Sequence, residues 1–102
     1  MKKFTLFVGL NDKDTKHQEL NTLDAYKVAS NIFCQYTGGA TISEAVGVYT
    51  HDDGTIITET SLRCEIYGAE MSAIMRAANE LKAAFNQESI LIETVETTSN
   101  FI

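Results

Sequence analysis

Two β-rich runs, Ala40-Thr41-Ile42-Ser43-Glu44-Ala45-Val46-Gly47-Val48-Tyr49-Thr50 and Thr55-Ile56-Ile57-Thr58-Glu59-Thr60-Ser61-Leu62-Arg63-Cys64-Glu65-Ile66-Tyr67, flank the tetrapeptide His51-Asp52-Asp53-Gly54. β-branched residues on both sides of an Asp-Gly pair are a strong hairpin signal. Register decides how the hairpin sits, because a slip of one residue sends every side chain to the opposite face. A two-residue Asp53-Gly54 turn pairs Val46 with Ser61 and Val48 with Glu59, which scatters the apolar groups. A three-residue loop with Gly54 in the left-handed conformation pairs Ile42 with Cys64, Val46 with Thr60 and Val48 with Thr58. That register gathers Ile42, Val46, Val48, Leu62, Cys64 and Ile66 on one face, with Glu44 the exception. The other face carries Ser43, Ala45, Gly47 and Tyr49 beside Ile57, Glu59, Ser61, Arg63, Glu65 and Tyr67.

Working outward, residues 3–10 alternate as a strand, with Phe4, Leu6, Val8 and Leu10 on one side. Residues 11–21 are polar and read as the longest and least constrained loop. From Thr22 the period changes to that of a helix, with Ala25, Val28, Ala29, Ile32, Phe33 and Tyr36 on one stripe, an Asn21 or Thr22 cap and a stop at Gly38-Gly39. Cys34 points away from that stripe. After the hairpin, residues 69–86 give a second amphipathic helix, with Met71, Ile74, Met75, Ala78, Leu81 and Phe85 inside. Residues 89–95 give a last strand, whose Ile90, Leu91 and Ile92 predict burial on both faces. The tail ends in Phe101-Ile102, apolar groups that call for a flexible or partner-covered segment over 97–102.

Each helix bridges two strands and the middle pair is a hairpin, so the chain reads as one α+β domain of residues 1–102, ferredoxin-like βαββαβ. Two helices cover one face of a four-stranded antiparallel sheet, with the first and third strands central. The 102-residue length suits a single core. A net charge of −6 gives no footprint for direct nucleic-acid binding. No apolar run is long enough for a membrane helix, and Met1-Lys2-Lys3-Phe4-Thr5 leads straight into a strand, so the expected compartment is the cytoplasm. Cys34 and Cys64 have no metal or redox spacing, and no cofactor or metal motif occurs.

The candidate ligand-binding residues are Tyr49, Arg63, Tyr67, Ile57, His51 and Arg76; no residue is assigned a catalytic role. Tyr49 and Tyr67, with Arg63 between them on the outer face, form a stacking platform for a planar or anionic ligand. His51-Asp52-Asp53 has the residue types of an acid–base cluster, but a hairpin tip favours the same residues for turn chemistry. Glu44, Glu59, Arg63 and Glu65 match cross-strand charge pairing on a solvated sheet.

The stretch Phe7-Val8-Gly9-Leu10, the Asp53-Gly54 hairpin with Glu59 after it, and Phe85-Asn86-Gln87-Glu88-Ser89-Ile90-Leu91 resemble a family of small bacterial ferredoxin-like domains of unknown function. The resemblance implies the fold and transfers no active site; members of that family usually carry an export signal, which the opening of this sequence does not form. The residues favour a non-catalytic binding protein that forms a homo-oligomer through the open sheet face or edge strands. Its expected partner is a small anionic ligand or a protein, in the manner of a phage or mobile-element inhibitor of host defence that sequesters a nucleotide-type signal or blocks an effector. The alternatives are a small dimeric α+β barrel enzyme acting on an apolar or aromatic substrate, with His51 or Glu44 as base and Tyr49 orienting, and a structural assembly subunit.

Overall fold

A computed structural model describes all of residues 1–102. The elements run β1 (Lys2–Gly9), α1 (Thr22–Thr37), β2 (Thr41–Thr50), β3 (Ile56–Tyr67), α2 (Met71–Ala84) and β4 (Leu91–Glu96). They form one antiparallel sheet in the order β2-β3-β1-β4, with β1 and β3 central as the connectivity requires. The arrangement is the ferredoxin-like α+β fold. No helix is long and apolar enough to cross a membrane.

The hairpin adopts the register that gathers the apolar groups, with Ile42 opposite Cys64, Val46 opposite Thr60 and Val48 opposite Thr58. Its loop closes through Gly54 N–H donating to His51 O at 2.9 Å, with Gly54 at φ 87° as a three-residue turn demands. Asp53 accepts the Thr55 N–H at 2.9 Å and stiffens the turn. α1 starts at Asn21, whose side chain accepts the Asp24 N–H, and stops at left-handed Gly38.

One face of the sheet meets both helices. Phe4, Leu6 and Val8 of β1 and Leu62, Cys64 and Ile66 of β3 pack on Ala25, Ala29, Ile32 and Phe33 of α1 and on Ile74, Ala77, Ala78 and Leu81 of α2. Burial pushes the Cys64 thiol up to about 12, so it is a neutral core group, while Cys34 is exposed.

Besides Met71 and Met75, expected on the inner stripe of α2 yet each 45% exposed, three expectations are corrected. Val46 and Val48 share the core-facing side yet are about two-thirds exposed. The 12 residues of β3 extend for about 40 Å and the 14 of α2 for about 21 Å, so the helices run out before the hairpin does. The molecule is accordingly elongated, 47 × 24 × 21 Å. Second, β4 is an edge strand covered on one face only: Leu91 is 64% exposed. Third, residues 11–21 are a built loop. Asn11 bridges to Gln18, and Asp12 accepts the Asp14 and Thr15 N–H groups at 2.8 and 3.0 Å and Asn86 Nδ2 at 3.0 Å. Lys13 N–H donates to Asn86 O, and Gln87 Nε2 donates to Asn11 O at 2.6 Å. Element ends also shift slightly, α2 starting at Met71 and β4 at Leu91.

These placements predict unequal costs of truncation. Phe33→Ala, which empties a fully buried site, should lose about 3–5 kcal/mol of unfolding free energy in urea. Val46→Ala and Val48→Ala should each stay within about 0.5 kcal/mol of the parent.

Candidate functional site

The sheet face away from the helices is open, and the strand registers fix its rows. Lys3 lies between Tyr67 and Val95, and Phe7 lies between Arg63 and Leu91. Further along, Gly9 lies beside Ser61, Gly47 beside Glu59 and Tyr49 beside Ile57.

The lower rows are a charged surface. Lys3 Nζ is 2.8 Å from Glu65 and Arg63 Nε is 3.7 Å from it. The hydrogen bond from Lys3 holds the Glu65 carboxyl below the ordinary carboxylate range, and the same bond raises Lys3. The cations also lie over rings, Lys3 over Tyr67 at 5.7 Å and Arg63 over Phe7 at 5.9 Å.

The upper rows hollow into a concavity of about 670 Å³. Its floor is Phe7, Gly9, Glu59 and Ser61; one wall is Tyr49, His51, Asp52 and Ile57 from the hairpin. The other wall is the stitched loop of Asn11, Asp12, Lys13 and Lys16 together with Gln87, Glu88, Ser89 and Leu91. Tyr49 and His51 meet edge to face, centroids 5.6 Å apart.

Glu59 is the best-positioned polar group in this space. Its Oε2 accepts the Asn11 N–H at 3.1 Å, which anchors one side of the carboxylate. The other contacts exist because two strands carry glycine where a side chain would stand. A Cβ on Gly9 would fall 2.6 Å from Glu59 Oε1, and one on Gly47 would fall 3.3 Å from Ser61 Oγ and 3.7 Å from Glu59 Cγ. Glycine inside a strand marks such a close approach. The carboxylate is half-buried, has one protein donor, and keeps acceptor capacity toward the concavity.

Asp12 organises the loop wall. The Thr15 and Asp14 amides, ahead of Asn86, hold its carboxyl below the ordinary carboxylate range. The two positive-φ residues other than glycine, Lys16 at 65° and Asn86 at 47°, both bond to Asp12.

Of the residues expected from sequence, Tyr49, Ile57 and His51 line the concavity together. Arg63 and Tyr67 share the open face but stand in the charged rows below it. Arg76 lies on α2, in the helix layer across the sheet, near the Tyr36–Glu80 hydrogen bond. Sequence reasoning passed over Gly9, Asn11, Ser61 and Gln87, and treated Glu59 as one charge among several. The available signal was a glycine in each of two strands.

No cluster of three or more His, Cys, Asp or Glu side chains is placed to hold a metal ion.

The family model of DUF3574, described as a protein of unknown function, matches residues 3–101. The chain belongs to the DUF3574 family. No curated protein matches it. Among solved structures, a phage SAM lyase in complex with S-methyl-5'-thioadenosine is similar at TM-score 0.71 and 27% identity, over 93% of this chain and 80% of the lyase. The divalent cation tolerance protein CutA1 from Thermus thermophilus aligns at TM-score 0.61 and 10% identity, over 99% of this chain and 88% of that one. CutA1 from Ehrlichia chaffeensis aligns at 0.55 and 20%, over 97% and 84%. The two CutA1 likenesses speak to the fold alone.

The glycine floor and the Asp12 loop can each be tested by unfolding. Gly9→Ala should cost about 1–3 kcal/mol by driving the new methyl into the Glu59 carboxylate. Glu59→Ala in the same chain should recover much of that cost, whereas additive losses in urea unfolding would contradict the contact. Because the Asp12 carboxyl is depressed, its contribution to stability is fully present above the ordinary Asp value of 3.8 and is lost as pH falls through the lower folded value. The unfolding midpoints of the parent and Asp12→Ala should therefore differ at neutral pH and draw together in acid.

Proposed function

We propose that the chain binds S-adenosylmethionine on the open face of its sheet and cleaves it to S-methyl-5'-thioadenosine. The observation that carries this reading is Glu59, an anchored carboxylate with free acceptor capacity on the floor of a concavity between Phe7 and Tyr49. The likeness to the phage SAM lyase, 27% identical over 93% of this chain, supports it.

A carboxylate of this kind suits the hydroxyl pair of a ribose, as acidic side chains do in other nucleotide sites. It does not suit the sulfonium. Cleavage breaks the bond from sulfur to the amino-acid arm, and the electron pair passes to sulfur and cancels its charge. A carboxylate against sulfur would stabilise the starting cation more than the transition state and so raise the barrier. Glu59 therefore holds the sugar, and sulfur lies away from it toward the apolar side chain of Ile57, where losing charge is favoured. The carbon left behind is satisfied by closure of the arm's own carboxylate or by loss of a neighbouring proton, so no co-reactant is required.

Tyr49, Ile57 and His51 act as ligand contacts in this reading, whereas Arg63, Tyr67 and the exposed Leu91 and Val95 form the surface on which a second copy completes the open side of the site. Removing or holding such a metabolite in the host cytoplasm fits the inhibitor role of a phage or mobile-element protein.

Incubation of the purified chain with S-adenosylmethionine, read by chromatography and mass spectrometry, should yield S-methyl-5'-thioadenosine and identify the fate of the arm. Glu59→Gln should lower the rate by about 10- to 100-fold, and Arg76→Ala should leave it unchanged. Heat of binding without product would reduce the function to sequestration. Absence of both product and binding heat, with S-adenosylmethionine and with the thioether, would remove the proposal.

A further inference from the structure

Two lysines stand at the rim of the concavity outside any ion pair, in a chain with fourteen carboxylates and eight Lys and Arg residues, and only Lys13 feels the charge of a nearby acid, Asp12. The ion pairs of the molecule are Met1–Glu96, Lys3–Glu65 and Arg63–Glu65. Lys13 and Lys16 are in none of them. The acids of their own loop are engaged by neutral donors. Asp12 takes the Asp14 and Thr15 amides and Asn86 Nδ2; Asp14 takes Asn86 Nδ2 at 2.8 Å; and Glu19 takes the Thr15 hydroxyl.

The loop also fixes one of the cations. Lys16 is held at φ 65°, a left-handed conformation uncommon for a long side chain. Its N–H donates to Asp12 O at 2.9 Å, and its ammonium donates to Lys13 O at 2.6 Å, an uncharged acceptor that leaves the charge uncompensated. The hairpin wall opposite supplies Asp52, and Glu88 stands on the lysines' own wall. Cations and anions therefore meet across one space whose floor is Glu59.

We propose that the loop over residues 11–18 is a carboxylate-recognition rim, in which Lys13 and Lys16 receive the carboxylate of an amino-acid arm on the nucleoside held by Glu59. The inference rests on the function proposed above and assigns the part of the site that takes the carboxylate of the ligand's arm. Asp52 and Glu88 are the groups that face the ammonium of the same arm. The rim gives the site a direction. S-methyl-5'-thioadenosine has no arm, so cleavage deletes the contact with the lysines and weakens the hold on the nucleoside product.

Calorimetry on the full chain separates this idea from the reading beneath it. S-adenosylhomocysteine carries the arm and has no sulfonium to cleave; S-methyl-5'-thioadenosine lacks the arm. The parent should bind the first more tightly, and the Lys13→Met/Lys16→Met double variant should lose about tenfold for the first while staying within about twofold for the second. Lys16→Arg should retain the preference, and added salt should weaken only the armed ligand, because screening acts on the charge pair. Equal losses for both ligands, or no loss for either, would overturn the rim while leaving nucleoside binding in place. If the parent binds neither ligand, the function proposed above fails and the rim fails with it.

Discussion

The pairing of β2 with β3 joins the core to the candidate site. One register places Leu62, Cys64 and Ile66 under the helices and, by the same alternation, stands Glu59, Ser61 and Arg63 on the open face. A slip of one residue would bury Arg63 and Glu65 and expose the apolar set, an exchange that no other contact in a molecule of this size could offset. The three-residue turn at Gly54 is therefore more than a local device. It sets where the carboxylate of Glu59 arrives relative to Gly9 and the Asn11 amide, two residues belonging to another part of the chain.

Charge is distributed on the open face with some economy. Glu65 bridges Lys3 and Arg63, which are also drawn to the rings of Tyr67 and Phe7. These exposed interactions are individually weak. They do tie the charged rows into a closed set, leaving Glu59 on the floor and the two loop lysines at the rim as the groups with capacity to spare.

Much of the fold is legible in sequence because its determinants are local or periodic. The alternation at Phe4, Leu6 and Val8, the stripe from Ala25 to Phe33, the Asn21 cap and the turn at Gly54 all lie within one element each. The extra exposure of Val46 and Val48 was also accessible in principle, since strand and helix rise differ by a factor of about two per residue. What periodicity does not carry is cross-chain supply. Asp12 reads as one polar residue in a polar run until Asn86, 74 positions away, donates to it. Glu59 likewise gains its meaning from Gly9, 50 positions away and adjacent only through the sheet. Tyr49, His51 and Ile57 could be found because they belong to the hairpin that forms one wall; the opposite wall is assembled from two other segments and could not be read as one feature. Arg76 is a candidate in the sequence as a cation for an anionic ligand, but its place on α2 puts it in the helix layer, across the sheet from the concavity.

The overhang of the hairpin beyond the helices divides the molecule mechanically. Tyr49, His51 and Asp52 ride on a ribbon held by backbone ladders with little packing beneath its end, while Glu59, the loop and Gln87 sit nearer the sixteen-residue core. Such a ribbon opens at lower free energy than the core unfolds. One wall of the concavity is thus a compliant jaw and the other a fixed anvil, and residues of the jaw can be exchanged for new ligand shapes without drawing on the stability of the fold.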